Sequence, residues 1–360
     1  MSEEAWTRPR SDPSLDQEPG EDVPRRDELG LATSPIGSTA SAPYDGRPQK
    51  VLFIMGMTRS GSTVLDNVLG EAEGFFSAGE VRLIWKRGVL ESRSCGCGLP
   101  VLDCPVWREV LADAYSDDDR QALAARAGVA LRTQRTALRI RHTWGLLKRN
   151  PNALPQERLG QYISFVAPLY RSLGAMTGAS VIIDSSKRPS DAALLRLVPG
   201  LDVYVLHLVR DPRAVAYSWR RTREQPDPNG PATLSRNGTI HSTTRWMYRN
   251  AAAEAVLRQF RSDRVFQLRY ESFVADPQET VRSMMRFLEE EGPGPRFLDD
   301  RSVELQTNHT VSGNPSRFRI GAVRLTDDRE WERRQRRRHR ITATAVALPF
   351  LRRYGYPVRP

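Results

Sequence analysis

A short apolar run, Val51 to Ile54, reaches Gly56 and gives way to Thr58, Arg59, Ser60, Gly61, Ser62 and Thr63 before helical spacing resumes at Leu65. A strand, a turn rich in glycine and hydroxyls, and then a helix form a cradle for an anion. Glycine permits the tight backbone, successive N–H groups converge, and the helix N-terminus adds partial positive charge. Phosphate or sulfate is the expected occupant. The spacing of Gly56 and Gly61, followed by Ser62 and Thr63, mimics the phosphate loop of nucleoside triphosphatases. Ser62, however, stands where that loop has lysine, and the cation is Arg59, three residues earlier. A small-molecule kinase using ATP is the leading alternative, disfavoured by the missing lysine and by the lack of an identifiable acid for Mg²⁺.

A second segment carries charge to a strand end. Val203 to Val209 is apolar apart from His207, Arg210 follows, Pro212 can open a helix, and Ser218 falls two turns into it. Arg210 and Ser218, eight residues apart, can approach one anion from the strand end and the helix face. His207 lies inside the apolar run, where a buried, hydrogen-bonded structural histidine is expected. Cys95, Cys97 and Cys104 are spaced C-x-C-x6-C. Structural zinc usually takes four ligands at spacings such as C-x2-C, and no histidine is nearby in sequence, so a metal-free loop and no metal in the protein are expected. The basic run from Arg333 to Arg340 lacks interleaved aromatics and is expected to be a solvated helix face. A non-catalytic module binding RNA or anionic lipid is the alternative of another class, and no nucleic acid partner is expected.

These residues need elements to position them. Four apolar runs, Val51–Ile54, Val181–Ile183, Val203–Val209 and Val265–Leu268, have the continuous character of strands buried on both faces. Helical patterns alternate with them, at Ser62–Leu69, Pro212–Arg220, Arg245–Phe260 and Pro277–Leu288. The alternation predicts an α/β fold with a central, mostly parallel sheet flanked by helices. From about Val106 to Thr177 the alternation stops in favour of Ala, Leu and Arg at helical spacing, which predicts a helical insertion (about 106–178) beside the sheet.

The chain has 360 residues, 39% hydrophobic and 27% charged, enough for a sizeable core. Its first 48 residues hold ten acids and five arginines among Pro, Ser and Gly, with no apolar period, and are expected to form a disordered tail ahead of one domain over 49–360. The formal net charge is +11, so the remainder is more basic than the whole and favours an anionic ligand. Three cysteines make no disulfide framework, and neither a secretory signal nor an apolar run long enough to span a membrane is present. A cytoplasmic location is expected.

The two cationic segments resemble the sulfotransferases that use 3′-phosphoadenosine-5′-phosphosulfate, especially the bacterial branch, with a likeness to the tyrosylprotein enzymes. Arg59-Ser60-Gly61-Ser62-Thr63 matches the first family signature, and Arg210 with Ser218 matches the second. The resemblance implies a P-loop-like sheet in which Thr58, Arg59, Ser60, Gly61, Ser62 and Thr63 bind the 5′-phosphosulfate and Arg210 and Ser218 the 3′-phosphate. Ile183-Asp184-Ser185-Ser186-Lys187 is similar to the segment carrying a lysine to the transferring group. Arg269 to Phe273 and Asp276-Pro277 resemble a late strand and its helix. Asn308 to Phe318, including Ser312, Gly313, Asn314 and Arg317, resembles the loop that closes over the nucleotide. Glu80 lies 21 residues beyond Arg59, as the catalytic glutamate does in the tyrosylprotein branch, and is the candidate base. Glu80, Lys187 and Arg59 are thus the expected catalytic residues, acting on a hydroxyl or amine of a small-molecule or glycan acceptor.

Overall fold

A computed structural model describes residues 47–116, 119–148, 157–221, 227 and 236–359. The expected N-terminal tail lies outside the described residues except for its last two positions. Five parallel strands, β1 (Gln49–Gly56), β2 (Phe75–Gly79), β3 (Val181–Lys187), β4 (Leu201–Val209) and β5 (Val265–Arg269), form a sheet in the order β2-β3-β1-β4-β5. The runs at β1, β3 and β4 feed two cores because side chains alternate across a strand, whereas β5, at the sheet edge, buries Leu268 on one face and leaves Gln267 exposed, so the two-sided burial expected of Val265–Leu268 does not hold. Val51, Phe53 and Met55 pack on one face with Val203 and Val205, while Leu52 and Ile54 pack on the other with Tyr204 and Leu206. That two-sided burial is why these strands are apolar throughout instead of alternating.

Helix α1 (Ser62–Leu69) follows β1 and buries Leu65, Val68 and Leu69 on one face of the sheet. Between β2 and β3 the chain is mainly helical, with α2 (Pro105–Tyr115), α3 (Arg120–Thr136), α4 (Thr143–Leu147) and α5 (Glu157–Thr177). Their apolar sides, with Trp107, Val110, Leu123 and Leu173, cover the opposite face. Trp85 and Trp107 are core residues, while Trp144 is 54% exposed. After β3 come α6 (Pro189–Leu195), α7 (Pro212–Arg220), α8 (Thr239–Leu257), α9 (Tyr270–Ala275) and α10 (Pro277–Phe287). An antiparallel pair, β6 (Ser302–Leu305) and β7 (Gly321–Arg324), precedes α11 (Glu330–Arg334) and α12 (Arg337–Arg353).

Two elements depart from the sequence reading. β2 escapes it, being a five-residue strand that follows Gly74 and ends on Gly79, with Ser77 in the middle, at the edge of the sheet. α8 begins at Thr239, ahead of the expected Arg245, with Gly238 as its N-cap. Pairing of β3 with β1 and β2 is irregular beside Asp184: Phe53 faces Asp184, Met55 faces Lys187, and Gly79 also faces Asp184. Such a bulge bends a strand and re-aims its last side chains. No helix among the described residues is long and apolar enough to cross a membrane.

Candidate active site

The carboxyl ends of β1, β3 and β4, and the residue just past β2, bring the expected site residues to one edge of the sheet, where ligands of open α/β folds bind. The turn after β1 is held by close packing. Gly61 caps α1 at φ +87°, and a Cβ there would lie 2.1 Å from the Tyr270 ring. Arg59 also has a left-handed backbone, φ 76°, uncommon for a residue with a side chain, and its guanidinium lies over Trp219 at 5.2 Å. The amides of Ser62 and Thr63, the first two of α1, precede the intrahelical hydrogen-bond ladder. They can therefore donate to an anion. Ser60, Ser62 and Thr63 are all buried in this cradle.

Arg210 reaches the same turn from the end of β4. Its Nη1 donates to the Arg59 carbonyl at 3.1 Å, its guanidinium sits 4.7 Å from the centre of the Tyr270 ring, and Asp328 is 3.9 Å away. Tyr270 therefore packs beneath both Gly61 and Arg210, which explains the role of the segment after β5. Ser218 is buried in α7 and makes no hydrogen bond to Arg210 or to the turn among the described residues. His207 is fully buried, with Nε2 2.8 Å from Asn250 Oδ1, and burial pushes its pKa down. It is a structural residue.

Glu80 follows β2 and Lys187 ends β3, and the bulge beside Asp184 turns the two toward each other. Lys187 Nζ donates to Glu80 Oε1 at 2.8 Å and to the Ser185 carbonyl at 2.9 Å. Lys187 is the second site cation with a left-handed backbone, φ 71°. Burial pushes the Glu80 carboxyl up, but Lys187, Arg87 and Arg82 outweigh it and hold the group below the usual glutamate value. The resting site therefore holds Glu80 as a carboxylate paired with Lys187, and a pKa lowered in this way makes it a weaker base than a glutamate raised by burial alone. Arg82 is engaged elsewhere, 2.7 Å from Asp191 and bonded to Gln134, and so does not neutralise Glu80 by direct pairing.

The segment from Asn308 to Arg317 lies across this edge. The Glu80 amide donates to the Ser312 carbonyl at 3.3 Å, the Val311 amide to the Ala78 carbonyl at 3.0 Å, and the Asn314 amide to Thr63 Oγ1 at 3.2 Å. Arg87 donates to Ser312 Oγ. Gly313 comes so near α1 that a Cβ would be 3.1 Å from the Thr63 methyl. Arg317 is placed otherwise than the sequence reading has it: buried, it donates to the carbonyls of Thr310 at 3.0 Å and Ser94 at 2.8 Å. With its guanidinium spent on backbone carbonyls, Arg317 braces the loop from behind.

Two residues of the site are absent from the sequence reading. Arg249, from α8, is buried with Nη1 3.4 Å from Thr58 Oγ1 and 3.5 Å from the Gly56 carbonyl. Burial pushes its guanidinium pKa down, and the charges of Arg188 and Arg245 add to that. Such crowding of cations beside an anion cradle is relieved when an anion arrives. Asp66, in α1, accepts from Ser77 Oγ and Ser185 Oγ, each at 2.6 Å, and ties β2, β3 and α1 together behind the site. No spacing rule points to either residue; a lone arginine in a helix and an aspartate in a buried helix face carry no local signature.

The cysteine loop gains a neighbour that its sequence does not show: a histidine reaches the three sulfurs from a distant segment. His309 Nδ1 lies 3.2 Å from Cys104 Sγ and 3.9 Å from Cys95 Sγ, although it is 205 residues from Cys104.

At the carboxyl edge of a parallel sheet the chain thus gathers a glycine- and hydroxyl-rich turn, a carboxylate and a lysine. Residues 52–293 match the model of the Sulfotransferase family, well over half of the chain, and the protein belongs to that family. No curated protein matches the sequence. Among solved structures, the sulfotransferase domain of the Synechococcus PCC 7002 olefin synthase is 20% identical, with 70% of this chain and 77% of that one covered and a TM-score of 0.41. The sulfotransferase domain of the curacin biosynthetic pathway is 18% identical, with 87% of this chain and 100% of that one covered and a TM-score of 0.48. Sulfotransferase STF9 of Mycobacterium avium is 15% identical, with 68% and 65% covered and a TM-score of 0.38.

Proposed function

We propose that the protein transfers a sulfuryl group from 3′-phosphoadenosine-5′-phosphosulfate to a hydroxyl or amine of a small-molecule or glycan acceptor, by in-line displacement. The observation that carries this reading is the 2.8 Å pair of Lys187 and Glu80 beside an anion cradle whose Ser62 and Thr63 amides open α1. When bound, the donor supplies an activated sulfuryl group on its 5′-phosphate. Thr58 to Thr63 with Arg59 would hold that end, Arg210 and Ser218 the 3′-phosphate, and Ser312, Gly313 and Asn314 would close over it, with Arg317 as their brace. Glu80 accepts the proton of the acceptor. Lys187 keeps positive charge where negative charge grows on the departing oxygen. The crowded guanidinium of Arg249 adds to the same field.

Calorimetry with adenosine 3′,5′-bisphosphate, adenosine 5′-phosphate and ATP tests the donor. The bisphosphate is expected to bind far more tightly than the other two, and equal or tighter ATP binding would reject the reading. Mass spectrometry of an extract treated with protein and donor should then reveal the acceptor as a sulfate adduct.

A further inference from the structure

Away from Glu80 and Lys187, the chain between Ser94 and Cys104 meets the chain around His309. The Sγ atoms of Cys95, Cys97 and Cys104 and a ring nitrogen of His309 all lie within 4.8 Å of one another. With Zn–S about 2.3 Å and Zn–N about 2.0–2.1 Å, a tetrahedral centre places its donors roughly 3.5–3.8 Å apart. The observed 3.2 and 3.9 Å from His309 to Cys104 and Cys95 bracket that spacing. All three cysteines are free thiols. Sulfurs packed as small apolar groups would not need an imidazole nitrogen turned among them.

The surroundings suit a ligated metal. The Leu99 amide donates to Cys97 Sγ, and the backbone returns on itself through Cys95 N–H to the Leu99 carbonyl at 2.7 Å. Trp107 Nε1 donates to the His309 carbonyl at 2.6 Å and fixes that residue from outside. The residue between the first two cysteines must be glycine: a Cβ on Gly96 would fall 2.0 Å from Asn308 Oδ1 and drive the histidine segment away. Three thiolates and a divalent ion leave one net negative charge. Arg317, buried and close enough to Cys95 to interact electrostatically, offsets part of it, while Asp227 Oδ2 also lies 3.8 Å from its Nη2.

We propose that Cys95, Cys97, Cys104 and His309 bind one structural zinc ion that clips the 308–317 loop to the cysteine loop. Three sulfurs and one nitrogen in tetrahedral array select zinc among the common divalent ions, and four protein ligands leave no open position for catalysis. On binding, each thiol gives up its proton to solvent. The clip matters because Ser312, three residues after His309, accepts from the Glu80 amide, and Asn314 donates to Thr63. Metal at one end of the loop therefore sets the cover of the anion cradle at the other.

The test is independent of sulfuryl transfer. The untagged full-length chain, purified without chelator under reducing conditions, is expected to carry about one zinc per chain by elemental mass spectrometry. Exchange for Co²⁺ should give the intense visible bands of a tetrahedral thiolate site. Cys97→Ser, at the half-buried ligand, should lose most of the metal. His309→Cys should keep the metal but shift the cobalt bands, which a merely packed cluster does not predict. Wild-type protein with less than roughly a tenth of an equivalent of zinc and no cobalt spectrum on reconstitution would overturn the proposal.

Discussion

Lys187 Nζ and Glu80 Oε1 are 2.8 Å apart although the residues are separated by 107 positions, because a bulge at the end of β3 aims the lysine across to the residue after β2. The pair holds Glu80 as a carboxylate and keeps Lys187 oriented before any substrate arrives. Glu80→Gln is expected to lower kcat by roughly 10²–10⁴ with little change in donor affinity, the signature of a lost general base. Steady-state kinetics at saturating donor checks it, and near-wild-type turnover removes Glu80 from that role. Lys187→Met removes the charge that most strongly lowers the Glu80 pKa against its burial. The acid limb of kcat/KM should then move to higher pH.

Arg210 is expected to recognise the feature that separates the proposed donor from ordinary adenylates. Arg210→Ala should weaken binding of adenosine 3′,5′-bisphosphate by roughly 1.5–3 kcal/mol, the range of a charge-assisted hydrogen bond, and leave adenosine 5′-phosphate almost unaffected. Calorimetry on both ligands separates the cases, and equal losses would place Arg210 at the 5′ end instead.

Arg249 tests a residue that only the fold brings to the turn. Arg249→Met keeps much of the buried volume and removes the charge, so donor affinity should fall while crowding of Arg188 and Arg245 is relieved. Higher thermal stability without ligand and a smaller stabilisation by adenosine 3′,5′-bisphosphate are expected together. An unchanged ligand-induced shift in Tm would mean that Arg249 only packs.

Gly79 connects β2 to the covering loop. Its φ is +75°, and a Cβ would come within 2.8 Å of the Ser312 carbonyl. Gly79→Ala should cost at least about 1–2 kcal/mol from backbone strain and should also push the loop away. Urea unfolding measures the first effect. A raised donor KM measures the second, and loss of stability with no change in KM would show that the loop tolerates the displacement.

Asp66 supplies a pH test of the scaffold. Burial pushes its carboxyl up to about 7, against the bonds from Ser185 and Ser77, while in the unfolded chain the group titrates at its ordinary value of 3.8. The folded state therefore holds the proton more tightly, and stability attributable to this group is full below about pH 4 and declines as pH rises toward 7. Asp66→Asn removes that slope. The difference in urea midpoint between wild type and variant should thus shift in favour of the variant from pH 4 to 7. A difference that stays level would show that Asp66 is ionised throughout.

The local residues determined a good deal by themselves. Gly61, Arg59 and the hydroxyls around them mark a candidate anion turn because a tight turn, a cation and a helix start are all encoded within eight positions. The unbroken apolar runs at β1 and β4 announce a sheet covered on both faces, because burial on two sides removes the need for alternation. Only tertiary structure decided which residues meet across long stretches of chain. β2 was invisible because its five residues are small and polar in the middle, and an edge strand needs little apolar surface. Arg249 and Asp66 have no neighbours in sequence that reveal their partners. His309 completes a set of donors that looked one ligand short, since the sulfurs lie before the helical insertion and the imidazole in the loop after β6. Spacing records what a few turns of backbone can reach, whereas the packing of the sheet, its bulge and its covering loop decides what arrives from a hundred residues away.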